Sequence, residues 1–221
     1  MLIFSQHDVI LSINLGHAFE RRESMSDKTV KSKEKISAAA MELFAKKGYD
    51  EVTVKDICAS CGIPRSSFYL SFSGKADILA YALQSVKDNF QQSMPDFIRA
   101  QNDFERIWFL TDAYLKTAVA FGADISKQYF ILELKGISGL FSLLESFNDW
   151  LIQLAAKCQK QGIVRNKTDP ALLVPMQLSI AKSHLFDWVC CDGAFPLRLT
   201  VRKSLEVFLD VAPEYRSDGA V

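Results

Sequence analysis

Apolar residues recur every three or four positions along most of the chain, and no stretch reads convincingly as a strand, so the pattern predicts an all-α protein. Ile36, Ala40, Leu43 and Phe44 share one stripe with Lys and Glu between them, and Gly48 stops the segment. Thr53 is a good N-cap for a short helix over residues 54–60, whose inward face is Val54, Ile57, Cys58 and Cys61. Gly62 ends it, and Pro64 sits in the first turn of a third helix, where its missing N–H costs nothing. That helix runs to about Phe72. Ser73 and Gly74 break it, and Lys75 opens a long helix through Ile78, Leu79, Ala82 and Val86.

The rest of the chain continues in the same manner. Pro95 punctuates the end of the long helix. Residues 103–121 carry Ile107, Trp108, Thr111, Tyr114, Leu115 and Ala118 on one stripe, Gly122 interrupts, and a short helix follows over residues 126–134. Leu140, Leu143, Leu144, Phe147, Trp150, Leu151, Leu154 and Cys158 mark another long helix, which Gly162 ends. Asp169-Pro170 pairs an N-cap with a first-turn proline and starts a helix to about Cys190, in which Pro175 can introduce a kink. Asp192-Gly193 and Pro196 separate it from a last helix over residues 197–211, with Leu197, Val201, Leu205 and Phe208 on its apolar side.

With 221 residues, 49% hydrophobic and 24% charged, the chain can form a small module joined to a larger one with a sizeable core. No apolar run approaches the roughly 20 residues needed to cross a bilayer, so no membrane partner is expected. The net charge is zero but unevenly spread. Residues 26–75 hold nine Lys/Arg against six acids, a net of +3, while residues 76–221 hold 15 against 17, a net of −2. A basic module on a mildly acidic one suits an anionic partner at one end. Five cysteines, odd in number and without the spacing of a secreted framework, suit a reducing cytoplasm.

Residues 1–30 are expected to be an N-terminal extension, disordered or mis-annotated. The first 24 residues have no basic leading region, and His7 and Asp8 interrupt their apolar stretch, so a signal peptide is not the expectation. Arg21-Arg22 can be encoded by a purine-rich ribosome-binding sequence two codons before Met25, which suggests translation from Met25; a frayed or helical arm is the alternative.

Two short helices joined by a glycine turn have the sequence form of a helix-turn-helix. In TVKDICASCGIPRSSFYLSF, Thr53 caps the supporting helix, Gly62 permits the turn and Ile63 plugs the space between the helices. Arg65, Ser66 and Ser67 then project from the start of the second helix, where side chains reach base edges, while Phe68 and Phe72 anchor its buried side. Tyr69 can touch a phosphate or a thymine methyl, and Lys75 stands where its ammonium can meet phosphate. A three-helix subdomain without DNA binding is the plainer reading of the same pattern.

The run IxxAAMELFAKKGYDEVTVKDICASCGIPRSSFYLSFSGKADIL from Ile36 resembles the N-terminal domain of the TetR (tetracycline repressor) family. The resemblance rests on AAxxLFAxxGY, TVxDI, a CG-I-P turn in place of AG-V-S, the FYxxF core and the following K-xx-(I/L)-L. It implies DNA contacts at Thr53, Arg65, Ser66, Ser67, Tyr69 and Lys75, and leaves phosphate contacts at Leu70 and Ser71, which depart from the family pattern, in question. It also implies a homodimer on a palindromic double-stranded DNA site. In that reading residues 31–75 are the DNA-binding domain and residues 76–215 a helical domain for ligand binding and dimerisation. A small effector bound there shifts the helix that starts at Lys75 and releases DNA, repression being the family's usual mode. The last two helices are the expected dimer interface, with Met176, Ile180, Leu197, Val201, Leu205 and Phe208 in it; burial within one chain is the alternative.

Aromatic residues crowd the second half. A subset of Trp108, Tyr114, Phe121, Phe141, Phe147, Trp150 and Trp188 is expected to line an apolar ligand cavity with His184 as a polar guide, for an effector that is itself apolar or aromatic. Core packing explains most such stripes equally well. Cys58-x-x-Cys61 suggests zinc or redox chemistry, but both cysteines fall where the motif wants small inward residues, and no second ligand pair is nearby. Cys190-Cys191 is either an oxidation-sensitive pair or two small apolar residues. Neither a glycine-rich phosphate loop nor a His/carboxylate constellation is present in the sequence, so no enzyme, metal or cofactor is expected. A helical adaptor that binds only protein is the third class.

Overall fold

The computed structural model describes residues 27–92, 94–136 and 147–217, and within them nine α-helices and no strand. The helices are α1 (Asp27–Lys47), α2 (Val54–Cys61), α3 (Arg65–Ser71), α4 (Lys75–Gln92), α5 (Met94–Arg99), α6 (Asp103–Leu134), α7 (Asn148–Gln161), α8 (Pro170–Cys190) and α9 (Leu197–Phe208). Residues 1–26, and with them the question of the Met25 start, lie outside the described residues, as do Leu140, Phe141, Leu143 and Leu144.

Helices α1 to α4 close around Ile36, Phe44, Val52, Ile57, Phe68, Phe72 and Ile78, each at most 2% exposed. Side chains of this size contribute roughly 1.5–3 kcal/mol apiece when fully buried, which lets three short helices hold a fixed geometry. Gly62 turns the chain from α2 to α3 at φ 65°, a left-handed conformation that lets its N–H and that of Ile63 bond back to Ala59 and Cys58. Pro64 is the N-cap of α3 rather than a residue of its first turn.

Gly122 interrupts the helix as expected: its φ 81° and ψ 168° are far from helical, and α6 consists of two helical stretches that meet there at a kink. Across it the Ser126 hydroxyl donates to the Ala118 carbonyl at 3.2 Å. Pro95 does not simply end α4 but lies in the first turn of α5, where a proline belongs.

α8 is capped by Asp169, whose carboxylate accepts from the Ala171 N–H at 2.9 Å, and it continues through Pro175. Its inner face (Leu173, Val174, Leu178, Ala181, Leu185, Trp188) packs against α6, α7 and α9. α9 stops at Phe208, three residues short of the expectation, because Asp210 takes a left-handed conformation (φ 47°). Val211 then forms an isolated bridge with Val164.

The expected dimer interface divides in two. Leu197, Val201 and Leu205 are at most 1% exposed within a single protomer, so they are core and not interface. They are covered because α9 is amphipathic and lays its apolar face on the more apolar α8 and α6. Met176 is 52% exposed, while Ile180 and Phe208 are half-buried.

Candidate nucleic-acid interface

The supporting helix is fixed by a reciprocal cap. Thr53 Oγ1 accepts from the Asp56 N–H at 3.2 Å, and Asp56 Oδ2 accepts from the Thr53 N–H at 2.9 Å. The Thr53 hydroxyl also donates to that carboxylate at 2.5 Å. Both hydrogen bonds hold the Asp56 carboxyl below its ordinary value, outweighing a small opposing effect of burial. Thr53, expected at the DNA, therefore has its hydroxyl proton committed within the protein.

On α3 the sequence sorts by face. Phe68 is fully buried, and Phe72, just past the helix, is 2% exposed; their rings stand 6.1 Å apart. Opposite them Arg65, Ser66, Tyr69 and Leu70 face solvent, with Tyr69 at 55% and Leu70 at 86% exposure, while Ser67 is half-buried at the edge. At 100° per residue, Arg65 and Tyr69 share one side of that face, and Ser66 and Leu70 its centre. Among the described residues no ion pair or hydrogen bond engages the Arg65 guanidinium, so its five donors remain for a ligand. Of the two residues that depart from the family pattern, Leu70 is exposed on this face and Ser71 is half-buried. The signal of Leu70 in the sequence is the spacing, four after Ser66 and two after Phe68.

Lys75 has a structural contact within the chain. Its ammonium donates to the Tyr49 carbonyl at 2.6 Å and lies 4.4 Å from the centre of the Tyr49 ring. A second contact reaches the Asp50 carbonyl at 3.4 Å. The start of α4 is thus tied to the loop after α1. That loop is tied in turn to the second half of the chain, because Asp124, just past the α6 kink, accepts from the Tyr49 N–H at 2.7 Å.

The residues expected to line one ligand cavity lie in separate places. Tyr114 and Phe121 line a small, partly open cavity between α4, α6 and α8, of about 20 Å³. Trp150 packs between Phe147 and Phe97, at ring distances of 6.1 and 6.2 Å. Trp108 lies 5.1 Å from the buried Arg202 guanidinium, which Glu105 and Glu206 hold from either side. Trp188 is core, against Gly193, and His184 Nε2 is 2.8 Å from Ser204 Oγ, joining α8 to α9. Phe141 is outside the described residues. Periodicity placed these aromatics on inward faces but could not say which faces meet. Tyr129 also lines the cavity, and its hydroxyl donates to the Leu79 carbonyl of α4 at 2.8 Å.

Cys58 and Cys61 are buried in the three-helix core and Cys158 in the larger one, whereas Cys190 and Cys191 are exposed. No group of three or more metal-ligating side chains gathers among the described residues. None of the described helices is long and apolar enough to cross a membrane.

Residues 36–82 match the family model described as "Bacterial regulatory proteins, tetR family". Its N-terminal domain belongs to that family. The chain is also similar to curated regulators. The chain is 40% identical over 52 residues to the uncharacterised HTH-type transcriptional regulator YerO of Bacillus subtilis, covering 24% of this chain and 18% of YerO. It is 34% identical over 97 residues to IcaR of Staphylococcus aureus, a negative transcriptional regulator of the biofilm operon icaADBC, covering 44% of this chain and 49% of IcaR. The alignment thus spans about half of IcaR and less than a fifth of YerO. The fold likeness extends further. A transcriptional regulator from Saccharomonospora viridis, solved in complex with choline, superposes with a TM-score of 0.65 at 20% identity, over 82% of this chain and 96% of that one. The fold likeness therefore covers both halves, whereas the family model matches residues 36–82 only.

Proposed function

We propose that this protein is a sequence-specific transcriptional repressor that binds a palindromic operator as a homodimer and is released by a small-molecule effector. The observation that carries the reading is the sorting of α3: Arg65, Ser66, Tyr69 and Leu70 outward, Phe68 inward, on a helix seven residues long joined by a glycine turn to a supporting helix with a reciprocal cap. A helix presented this way fits the major groove of B-DNA, where Arg reads guanine and apolar groups touch the thymine methyl. Ser67 lies half-buried beside that face, Thr53 caps the supporting helix, and Lys75 ties the start of α4 to Tyr49. The family relationship supports a regulator over an enzyme or an adaptor, and the cytoplasm is where such a protein meets its operator.

The homodimer face we assign is the outer side of α8. Leu172, Met176, Ser179, Ser183 and Phe186 recur at steps of four, three, four and three, opposite the buried stripe, and the three apolar members are 52–61% exposed. Val207, 74% exposed, adds an apolar group on α9. An exposed apolar stripe of this kind is rare on a monomer and suits a partner helix.

The effector site we assign is the cavity lined by Tyr114 and Phe121. It touches α4, which begins directly after the recognition helix. An effector releases DNA only if it binds the DNA-incompetent arrangement more tightly, and each tenfold loss of affinity needs about 1.4 kcal/mol of that difference. A gel-shift titration against the gene's own upstream region tests the reading. Specific, salt-sensitive retention is expected; no retention at low salt would remove it.

A further inference from the structure

The cavity between α4, α6 and α8 is lined without a single charged side chain: Leu83, Ala118, Phe121 and Leu185 are apolar, and the rest are hydroxyl residues. Three of the four hydroxyls have their proton committed. Thr117 donates to the Ala113 carbonyl at 3.0 Å, Ser126 to Ala118 at 3.2 Å, and Tyr129 to Leu79 at 2.8 Å. The fourth, on Tyr114, is buried with no hydrogen-bond partner among the described residues. Buried hydroxyls are normally paired, so this one lacks an acceptor that something else must supply.

We propose that the cavity binds an uncharged, mostly apolar small molecule through one oxygen that accepts the Tyr114 hydroxyl proton. This rests on the reading that an effector binds here and adds its chemical class. A charged ligand would leave water for a wall with no counter-charge, which is strongly disfavoured. Tyr114 remains a donor throughout the working pH range, because burial, and after it the Glu133 carboxylate, push its ionisation far above the ordinary value. At about 20 Å³ the cavity holds no more than a water or two, so a ligand must part its walls. Those walls are Leu83 on α4, both sides of the α6 kink, and Leu185 on α8. Parting them strains the Tyr129–Leu79 hydrogen bond that joins α4 to α6, which is how occupancy would reach the recognition helix.

The test uses the full chain and matched six-carbon probes: 1-hexanol and 2-hexanone against hexanoate and hexylammonium, at pH 7. Melting temperature and retention of operator DNA are measured for wild type and for Tyr114→Phe. The neutral probes are expected to raise the wild-type melting temperature and to weaken operator retention, and the charged ones to do neither. Tyr114→Phe is expected to need about tenfold more of the neutral probe, the equivalent of one lost hydrogen bond. Equal effects of charged and neutral probes, no effect of the neutral ones, or an unchanged response in Tyr114→Phe would each overturn the proposal. The last result means that the hydroxyl is served by water only. Operator binding without probe is read in the same experiment. Its presence with no probe response rejects the ligand class alone, and its absence rejects the DNA-binding reading itself.

Discussion

Asp124 and Tyr49 join the two halves of the molecule: the carboxylate past the α6 kink accepts the backbone N–H of the loop that follows α1, at 2.7 Å. Gly48, immediately before, is left-handed (φ 84°), which aims that N–H at the carboxylate. Any motion of the α6 kink is therefore felt at the loop that Lys75 also holds. Asp124→Ala should cost roughly 0.5–1.5 kcal/mol of stability and should blunt effector release more than it weakens operator binding. Thermal melting and gel shifts with and without effector check both; full release in the variant would show that coupling runs elsewhere.

Arg65 and Lys75 should fail in different ways. Arg65→Ala removes a free guanidinium from the exposed face of α3 and should relax base preference, losing roughly 1–3 kcal/mol against the preferred operator and little against others. Lys75→Ala removes both a cation and the tie to Tyr49, so it should weaken all sequences about equally and lower the melting temperature as well. A salt titration separates its two duties. A slope reduced by about one reports a lost phosphate contact, whereas an unchanged slope leaves only the structural tie.

The assigned dimer face predicts opposite outcomes for neighbouring apolar residues. Met176→Glu should give a folded monomer in sedimentation, because the side chain is exposed in the protomer. Leu205→Ala, at 1% exposure, should instead cost roughly 2–5 kcal/mol of stability with no direct effect on association. A dimeric Met176→Glu protein would move the interface off α8.

Acid should loosen the joint between α6 and α7. Asp103 opens α6 with its side chain 4% exposed and takes Arg106 at 2.6 Å and Lys157 of α7 at 2.9 Å. Burial opposes its ionisation, but hydrogen bonds and charge from Lys157 and Arg106 outweigh it and hold the carboxyl below its ordinary value. Because the folded value is the lower, its stabilising contribution is complete above the unfolded value of about 3.9 and is lost as pH falls through the folded one. Asp103→Asn should melt earlier at pH 7 and lose less stability than wild type on acidification; parallel pH curves would contradict this.

The five thiols should divide into two fast and three slow. Cys190 and Cys191 are exposed, whereas burial, with the Asp103 carboxylate adding to it, pushes the Cys158 thiol up to about 12. Cys58 and Cys61 are each 5% exposed. A thiol reagent at pH 8 should label two groups rapidly in the native protein and the remaining three only on unfolding, with the fast pair gone in Cys190→Ser/Cys191→Ser. Rapid labelling of Cys58 would show that the three-helix core opens readily.

The sequence by itself determined the elements that local rules govern. Thr53, Gly62 and the Phe68/Phe72 pair specify a cap, a turn and a buried side within twenty residues, so the outward placing of Arg65, Ser66 and Tyr69 on α3 was legible from spacing alone. Leu197, Val201 and Leu205 were equally legible as one stripe, but a stripe says only that something covers it. Whether that cover is α6 of the same chain or a second copy depends on where distant helices pack. The same limit scattered Trp108, Trp150 and Trp188, and it hid the roles of Lys75, Asp124 and Tyr129, each of which acts on a backbone group 26 to 75 positions away. Helical periodicity fixes the direction of a side chain relative to its own axis, and only the packing of axes decides what that side chain meets.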